Sequence, residues 1–192
     1  AQDVANFQVF AIRDELGSKN VRFMLTSSYD PHPFNALTSS TFMSVYANED
    51  WNLSVALRPT NYPYAGVLSG SDDYSYDVVF RGFNNTLGTI RNSFEVSASI
   101  AKAVGQDMLR SWKRLYVGAQ NTNLTGSNLI QADTEVNGLK HWTQYVDNIS
   151  LKQHALDREN SGISGSYQNI SALDSRSTTH DIYNFNSLFG LI

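Results

Sequence analysis

The sequence predicts a mainly β domain of the α+β class, in which antiparallel strands form a barrel or sandwich beside one flanking helix. Two observations lead to this prediction. Apolar and polar residues alternate in several short segments, which is typical of half-buried strands. From Lys102 to Tyr116, in contrast, the apolar residues Val104, Met108 and Trp112 recur every four positions. This spacing predicts a helix of about four turns, with Trp112 as its anchor in the core.

The N-terminal part predicts a short helix followed by a strand. Residues 3–16 carry apolar side chains at Val4, Phe7, Phe10 and Ile12, and Gly17 is placed as a helix stop. Residues 20–26 then alternate as a strand. The two prolines at 31 and 33 predict a loop, because proline lacks a backbone donor and restricts the residue before it.

Residues 35–75 form a long excursion rich in aromatic side chains. We interpret it as two β segments, 41–47 and 51–57, around a turn at 48–50, followed by an irregular loop. The aromatic residues argue against disorder and are of the type that anchors protein interfaces. Trp51, Tyr62 and Tyr64 are therefore the candidate contacts between subunits or rings.

The rest of the chain predicts further strands around the helix of residues 102–116. A strand at Asp77–Phe83 and a turn at 84–88 precede the strand Phe94–Ile100, which leads directly into that helix. A polar linker follows at 118–133. The last third predicts strands again, from apolar residues at Trp142, Tyr145, Val146 and 149–151, then at 165–173 and 181–191. No boundary divides the chain, so residues 1–192 are expected to form a single domain.

Composition excludes several classes of function. The chain has 192 residues, no cysteine and a net charge of −4. Without cysteine there is no disulfide, thiol nucleophile or Cys-ligated zinc. The negative balance offers no electrostatic footprint for holding a nucleic-acid backbone. No apolar run approaches the roughly 18 residues of a membrane span.

Motifs for catalysis or metal binding do not emerge. The four histidines are far apart in sequence, the acidic stretch Asp73–Asp77 lacks the glycine and glutamate of a calcium loop, and Gly162–Ser166 departs from a nucleophile elbow. We therefore expect no enzyme activity, no metal and no cofactor. Arg110, Lys113 and Arg114 form a basic face on the helix, either as solvated surface or as a docking face for an acidic partner.

Four segments, taken in order, resemble one known family. They are Asp14–Phe23, Phe94–Ile100 with the Trp112 helix after it, Gly165–Ile170, and Leu173–Phe185. Their order and spacing resemble the tail tube protein of contractile-tailed bacteriophages, over most of residues 10–190. The excursion at 35–75 has no counterpart in that pattern, and the family usually has proline where Tyr167 and Gln168 stand.

This resemblance implies a structural virion protein. Homohexameric rings would stack into an inner tail tube, through whose lumen genomic DNA passes without specific binding. The further partners would be the tail sheath protein and the baseplate and tail terminator proteins. Arg110, Lys113 and Arg114 would face outward to the sheath. The location would be the phage tail, after assembly in the host cytoplasm.

Other functions remain open at this point. A type VI secretion tube protein or a baseplate tube protein would have the same architecture. A β-sandwich module that binds carbohydrate or a receptor would use exposed tyrosine and tryptophan in its loops. A β-sandwich enzyme is the third alternative, although no group of residues favours it.

Overall fold

The structure is a computed structural model that describes residues 6–28, 32–47, 49–60, 74–111, 114–118, 120–121, 128–129, 135–142, 145–160 and 162. The elements in chain order are β1 (Gln8–Arg13), β2 (Val21–Thr26), β3 (Leu37–Phe42), β4 (Asp50–Pro59), β5 (Tyr76–Thr86), β6 (Thr89–Ile100), α1 (Lys102–Arg110), β7 (Gln120–Asn121), β8 (Asn128–Leu129) and α2 (Asn148–Leu156).

These strands form two antiparallel sheets of three strands each and one short ladder. Sheet A has the order β1-β2-β3, sheet B has the order β4-β5-β6, and β7 pairs with β8. The described residues are therefore mainly β, as the sequence predicted, and they also form two helices, of which α1 lies within a predicted helix and α2 does not. The predicted strands at 20–26, 51–57, 77–83 and 94–100 are confirmed as β2, β4, β5 and β6.

One apolar core receives side chains from both sheets and from α1. Val21, Phe23 and Leu25 point into it from β2, where they alternate with more exposed residues. The other buried members are Phe34, Tyr76, Val78, Phe80, Ile100 and Met108. Because a strand places alternate side chains on opposite faces, these three residues of β2 all lie on the face of sheet A that is turned toward the core.

β5 is buried on both of its faces. Val78 and Phe80 enter the core between the sheets. On the opposite face, Phe83 packs against Val146, Leu151 and Ala155. We call the described residues 140–142 and 145–160, which contain α2, the α2 layer. A middle strand covered on both sides needs a nearly continuous run of apolar residues, which explains why the sequence of β5 alternates so little.

Close approach of α1 to sheet B depends on a glycine. A Cβ at Gly105 would lie 2.5 Å from Cγ of Tyr76 and would overlap its ring. Gly105 and Met108 are the buried residues of α1. The helix is thus held on sheet B by its first two turns.

The predicted N-terminal helix is wrong. Residues 8–13 form β1, whose half-buried and exposed side chains alternate strictly. β1 pairs along its whole length with β2, from Gln8 opposite Thr26 to Arg13 opposite Val21. Phe10 and Ile12 fit a period of two as well as they fit a helix, and pairing with β2 decides between them. The supposed helix stop belongs to the turn between the strands, where Gly17 has a φ of 82°.

The helix of residues 102–116 is shorter than predicted. It ends at Arg110, and the backbone of Ser111 is already extended. The hydroxyl of Ser111 donates to the carbonyl of Met108, which satisfies a free acceptor of the last turn. Tyr116 lies beyond the helix and is exposed. Trp112, the predicted anchor, lies outside the described residues.

Two further predictions are corrected. No strand is found in the described residues of 142–151: residues 142 and 145–147 are irregular, and α2 begins at Asn148. Its N-cap Asp147 accepts a hydrogen bond from the amide of Ser150 at 2.7 Å. The strand expected at 41–47 lies earlier, at Leu37–Phe42, and residues 43–47 form a turn. β3 and β4 belong to different sheets, so they do not form a hairpin. The predicted strands at 165–173 and 181–191 lie outside the described residues.

Candidate functional site

Trp51, a candidate subunit contact, lies in a group of aromatic rings between the two sheets. Its ring centroid is 4.8 Å from that of Phe23, 4.7 Å from that of Phe42 and 6.3 Å from that of Phe94. Its indole nitrogen donates to Glu49 at 3.1 Å. The side chain is only half-buried, so its outer edge is accessible. Its role in a contact stays a prediction. Tyr62 and Tyr64 lie outside the described residues.

Two members of the predicted basic face are accessible. Arg110 is exposed at the end of α1, and Arg114 is exposed in the segment after it. Neither forms an ion pair with another residue in the described ranges. A cation in the last turn of a helix also interacts favourably with the helix dipole. Lys113 and Trp112 lie outside the described residues, so the structure does not test the face as a whole.

A charged residue that the sequence analysis did not single out is buried in sheet B. Arg81 is only 4% exposed. Its Nε donates to Oε2 of Glu95 at 2.6 Å, and its Nη2 donates to the hydroxyl of Tyr145 at 2.7 Å. Burial opposes the charge of Arg81, but the hydrogen bonds with Glu95 and Tyr145 outweigh it and raise the pKa of Arg81. The three side chains tie β5 to β6 and to the α2 layer.

A second polar group lies on the same face of sheet B, near the start of β5, where Asp77 is opposite Arg58 and Ser99. Asp77 accepts a hydrogen bond from Ser99 at 2.7 Å, and its Oδ2 is 4.0 Å from Nη2 of Arg58. The guanidinium of Arg58 lies over the ring of Tyr145, 4.9 Å from its centroid. Arg58 and Arg81 are thus balanced by Asp77 and Glu95. This group is neutral as a whole, which suits structural linkage better than capture of an anion.

His154 is the buried ionisable residue of the α2 layer. It is 2% exposed, and its ring stacks on that of Trp142 with centroids 5.1 Å apart and an interplanar angle of 7°. Its Nε2 donates to the carbonyl of Gly162. Burial lowers the pKa of His154, and the hydrogen bond to Gly162 offsets part of this effect. Lys140 joins the same region by donating to the carbonyls of Arg158 and Asn160 at 2.6 and 2.7 Å.

The sequence contains local signals for Arg81 and for α2, but none for the partners of Arg81. Arg81 stands within the apolar run of residues 78–83, and a charge at that position indicates a specific partner. Asp147 followed by Ser150 is a typical helix N-cap spacing, and it could have revealed α2. Nothing in the sequence near Tyr145 or Glu95 connects them with Arg81, because 64 residues separate Arg81 from Tyr145.

Groups of metal-ligand side chains and membrane-spanning helices are both absent from the described ranges. They contain no cluster of three or more His, Asp or Glu side chains that could hold a metal ion. None of their helices has the length and apolar character needed to cross a bilayer. No known protein family, curated protein or solved structure matches this chain.

The edges of the sheets are the remaining surface of interest. Within the described residues, β4 and β6 are the outer strands of sheet B, and each has one edge that pairs with no other strand. They are ten and twelve residues long. Such edges present backbone donors and acceptors that can pair with another chain. The exposed face of β6 is polar and carries Ser93, Ser97 and Ser99 together with the charged residues Arg91 and Glu95.

Proposed function

We propose that this protein is a structural subunit that assembles with copies of itself into hexameric rings, and that these rings stack into the inner tail tube of a virion. The tube forms the channel for DNA ejection. The observation that supports this proposal best is the length of the outer strands of sheet B, β4 and β6. Long unpaired edges are a liability in a monomer, and pairing with a neighbouring subunit removes it.

Shared packing of the two sheets agrees with this assembly. Side chains from β2 and β5 meet in one core, and Phe23 stacks on Phe94 of β6 with centroids 5.5 Å apart. Two three-stranded sheets that face each other across such a core are the starting point of a barrel or sandwich. In the proposed ring, the strands of adjacent subunits complete this closure.

The charge of the chain fits a lumen through which DNA slides. Each subunit has a net charge of −4, so a ring of six repels phosphates rather than holding them. On the outer face of sheet B, Arg81 is neutralised by Glu95 where it contacts the α2 layer. The exposed face of β6 carries Ser93, Ser97 and Ser99 together with Arg91 and Glu95, so it is polar with both signs of charge and is not a continuous cationic surface that would retain nucleic acid.

In this proposal, the basic face binds the sheath protein, and the aromatic residues bind neighbouring subunits or rings. Arg110 and Arg114 are exposed, so they are available to an acidic surface of a sheath protein, together with Lys113. Trp51 offers the accessible edge of its ring to a neighbouring subunit or ring, with Tyr62 and Tyr64. Baseplate and terminator proteins would bind the two ends of the tube.

The assembly is tested by negative-stain electron microscopy and sedimentation of the purified chain over a concentration series. We expect rings or tubes with a central hole. Ser97→Lys places a long cation on the edge strand β6 and should prevent assembly. Asn137→Lys adds the same charge in an exposed loop and should leave assembly intact. A chain that stays monomeric at every concentration would contradict the proposal.

Two alternatives give different results. A type VI secretion or baseplate tube protein would form the same rings, and its location in cells would separate it from a virion protein. A carbohydrate-binding module would remain monomeric and bind glycans. It has less support among the described residues, because Arg13 covers the ring of the exposed Tyr46 at 3.9 Å.

A further inference from the structure

Unpartnered polar atoms are concentrated at one interface of the molecule. In the part of the chain that the structure describes, five buried side-chain atoms have no hydrogen-bond partner: Arg58 Nε, Arg81 Nη1, Asn84 Oδ1, Asn85 Oδ1 and His154 Nδ1. His154 belongs to the α2 layer, and Arg58, Arg81 and Asn85 contact it through Tyr145 or Ala155. Buried polar atoms without partners destabilise the state that buries them.

Apolar contacts at the same interface are few. Phe83 of β5 meets Val146, Leu151 and Ala155, with Ile90 and Trp142 partly buried beside them. The core between sheets A and B has nine buried apolar residues, none of which is among the residues with unpartnered atoms. A region with few buried apolar contacts opens at a lower free energy than the rest of a domain. Among the described residues, the α2 layer should therefore separate from sheet B more easily than sheet A separates from sheet B.

His154 is held in a single protonation state by its contacts. A carbonyl oxygen only accepts hydrogen bonds, so the Nε2 that contacts Gly162 must carry the proton. In the neutral ring, Nδ1 is then the nitrogen without a proton. This Nδ1 is buried and unpartnered. A second proton would create a buried cation whose new N–H group has no acceptor.

We propose that His154 is a pH-sensitive latch for the α2 layer. With a neutral imidazole, α2 covers the outer face of sheet B. When the imidazole is protonated, the α2 layer separates from sheet B and the ring of His154 enters water. The separation uncovers Phe83 and Arg81, while the core between sheets A and B stays closed.

Ionisable groups around the latch favour the neutral ring overall. Besides His154, the ionisable residues of the α2 layer and of the strands packed against it are Lys140, His141, Tyr145, Asp147, Lys152, Asp157, Arg158, Glu159, Asp50, Arg58, Tyr76, Asp77, Arg81, Arg91 and Glu95. Among these, the charge of Lys140 opposes protonation of His154 and that of Asp147 favours it. Asp50 is engaged by Arg158, and Glu95 by Arg81. Burial is the largest of the influences, and it lowers the pKa of His154.

The direction of the pH effect follows from this lowered pKa. In the open state, His154 is exposed and titrates near its ordinary pKa of about 6.5. Above that pH the closed state has its full stability. As the pH falls below about 6.5, the open state binds a proton that the closed state does not, so closure weakens by about tenfold per pH unit. This weakening stops once the pH reaches the pKa of the closed state. The latch does not depend on ring assembly, because all its contacts lie within one chain.

Amide hydrogen exchange of the full chain tests the latch. Protection factors, which are corrected for the intrinsic pH dependence of exchange, would be measured between about pH 7.5 and pH 5.5, where an ordinary histidine changes its charge. We expect the amides of α2 to lose protection about tenfold, while those of β2 and β5 change little. The NMR spectrum of the His154 ring should show the proton on Nε2 at neutral pH, and the ring should gain its second proton only at pH values at which protection of α2 has already begun to fall.

Two variants test whether His154 or another group causes the pH dependence of α2 protection. His154→Phe keeps a ring that can stack on Trp142 but cannot be protonated, so protection of α2 should no longer depend on pH. His141→Phe removes the neighbouring exposed histidine and should leave the pH dependence unchanged. Constant α2 protection in the unmodified chain down to about pH 5.5 would overturn the latch, whatever the variants do. Titration of the His154 ring without any change in α2 protection would overturn it equally.

Discussion

The ring of Phe94 lies directly over the backbone of Gly82, its paired residue on the neighbouring strand. A Cβ at Gly82 would lie 2.8 Å from Cζ and 2.9 Å from Cδ1 of that ring, inside the normal contact distance. The absence of a side chain on β5 thus lets the ring of Phe94 turn inward. There it contacts Phe23, Phe42 and Phe80, so one glycine organises the aromatic group of both sheets.

Gly82→Ala should destabilise the fold. The added methyl group forces Phe94 out of its position, and overpacking of this kind costs about 1–3 kcal/mol in the free energy of unfolding. Urea denaturation followed by circular dichroism measures the change. Gly138→Ala is the control, because nothing lies within 4 Å of a Cβ at that position. Equal stability of the two variants would show that the Phe94 ring moves aside freely.

Met108→Ala should identify the buried side of α1. Met108 is 2% exposed in the shared core, so its truncation leaves a cavity and costs about 2–5 kcal/mol. Leu109→Ala, one position further, removes a side chain that is 53% exposed and should cost less than about 1 kcal/mol. Urea denaturation at one fixed protein concentration compares the two. A larger loss for Leu109→Ala would mean that α1 packs through another face.

Tyr145→Phe should weaken the attachment of the α2 layer. Loss of the hydroxyl removes the acceptor for Nη2 of Arg81, whose Nη1 is already unpartnered. A buried charged donor without its acceptor costs about 1–3 kcal/mol. Tyr46→Phe is the matched control, because the hydroxyl of Tyr46 makes no hydrogen bond with a residue in the described ranges. Thermal unfolding compares the two variants, and Tyr145→Phe should have the lower Tm. Equal Tm values would contradict the role of the Tyr145 hydroxyl.

Leu87→Asn should stabilise the hairpin between β5 and β6. Leu87 has a φ of 51° and Gly88 a φ of 74°, which are the left-handed values of a type I′ turn. Leucine is strained there, whereas asparagine adopts this conformation readily, so the gain should be about 1 kcal/mol. The urea midpoint gives the change. Leu16→Asn is the control at another exposed leucine with a negative φ, and a gain of the same size there would indicate a general solubility effect.

Patterns within one segment predicted four strands, both where one face alone is buried, as in β6, and where an apolar run marks burial on both faces, as in β5. In β6, Phe94, Val96 and Ala98 alternate with exposed residues, and the strand is found where the pattern places it. The start of α1 directly after β6 was also predicted. The same local reasoning failed at Phe10 and Ile12, which fit two periods, and at residues 142–151, where helix and strand patterns overlap.

The candidate site depended on contacts that a local pattern does not contain. Arg81 is recognisable as an unusual charge in an apolar strand, but its partners Glu95 and Tyr145 come from other elements. His154 is far from the other histidines in the sequence, and no local pattern marks it as buried. Its burial follows from stacking on Trp142 and from the packing of α2 on β5, which bring distant parts of the chain together.

The sequence by itself determined that this protein is mainly β, where four of the six long strands among the described residues lie, and where α1 begins. These features are visible in the sequence because the residues that a strand or helix buries recur with the period of that element or form an apolar run. Only the tertiary structure decided that β1 is a strand, that α2 is a helix covering sheet B, and that Arg81 and His154 are buried. Each of these depends on pairing or packing with another segment of the chain. The residue pattern of one segment alone does not show which partner it will contact.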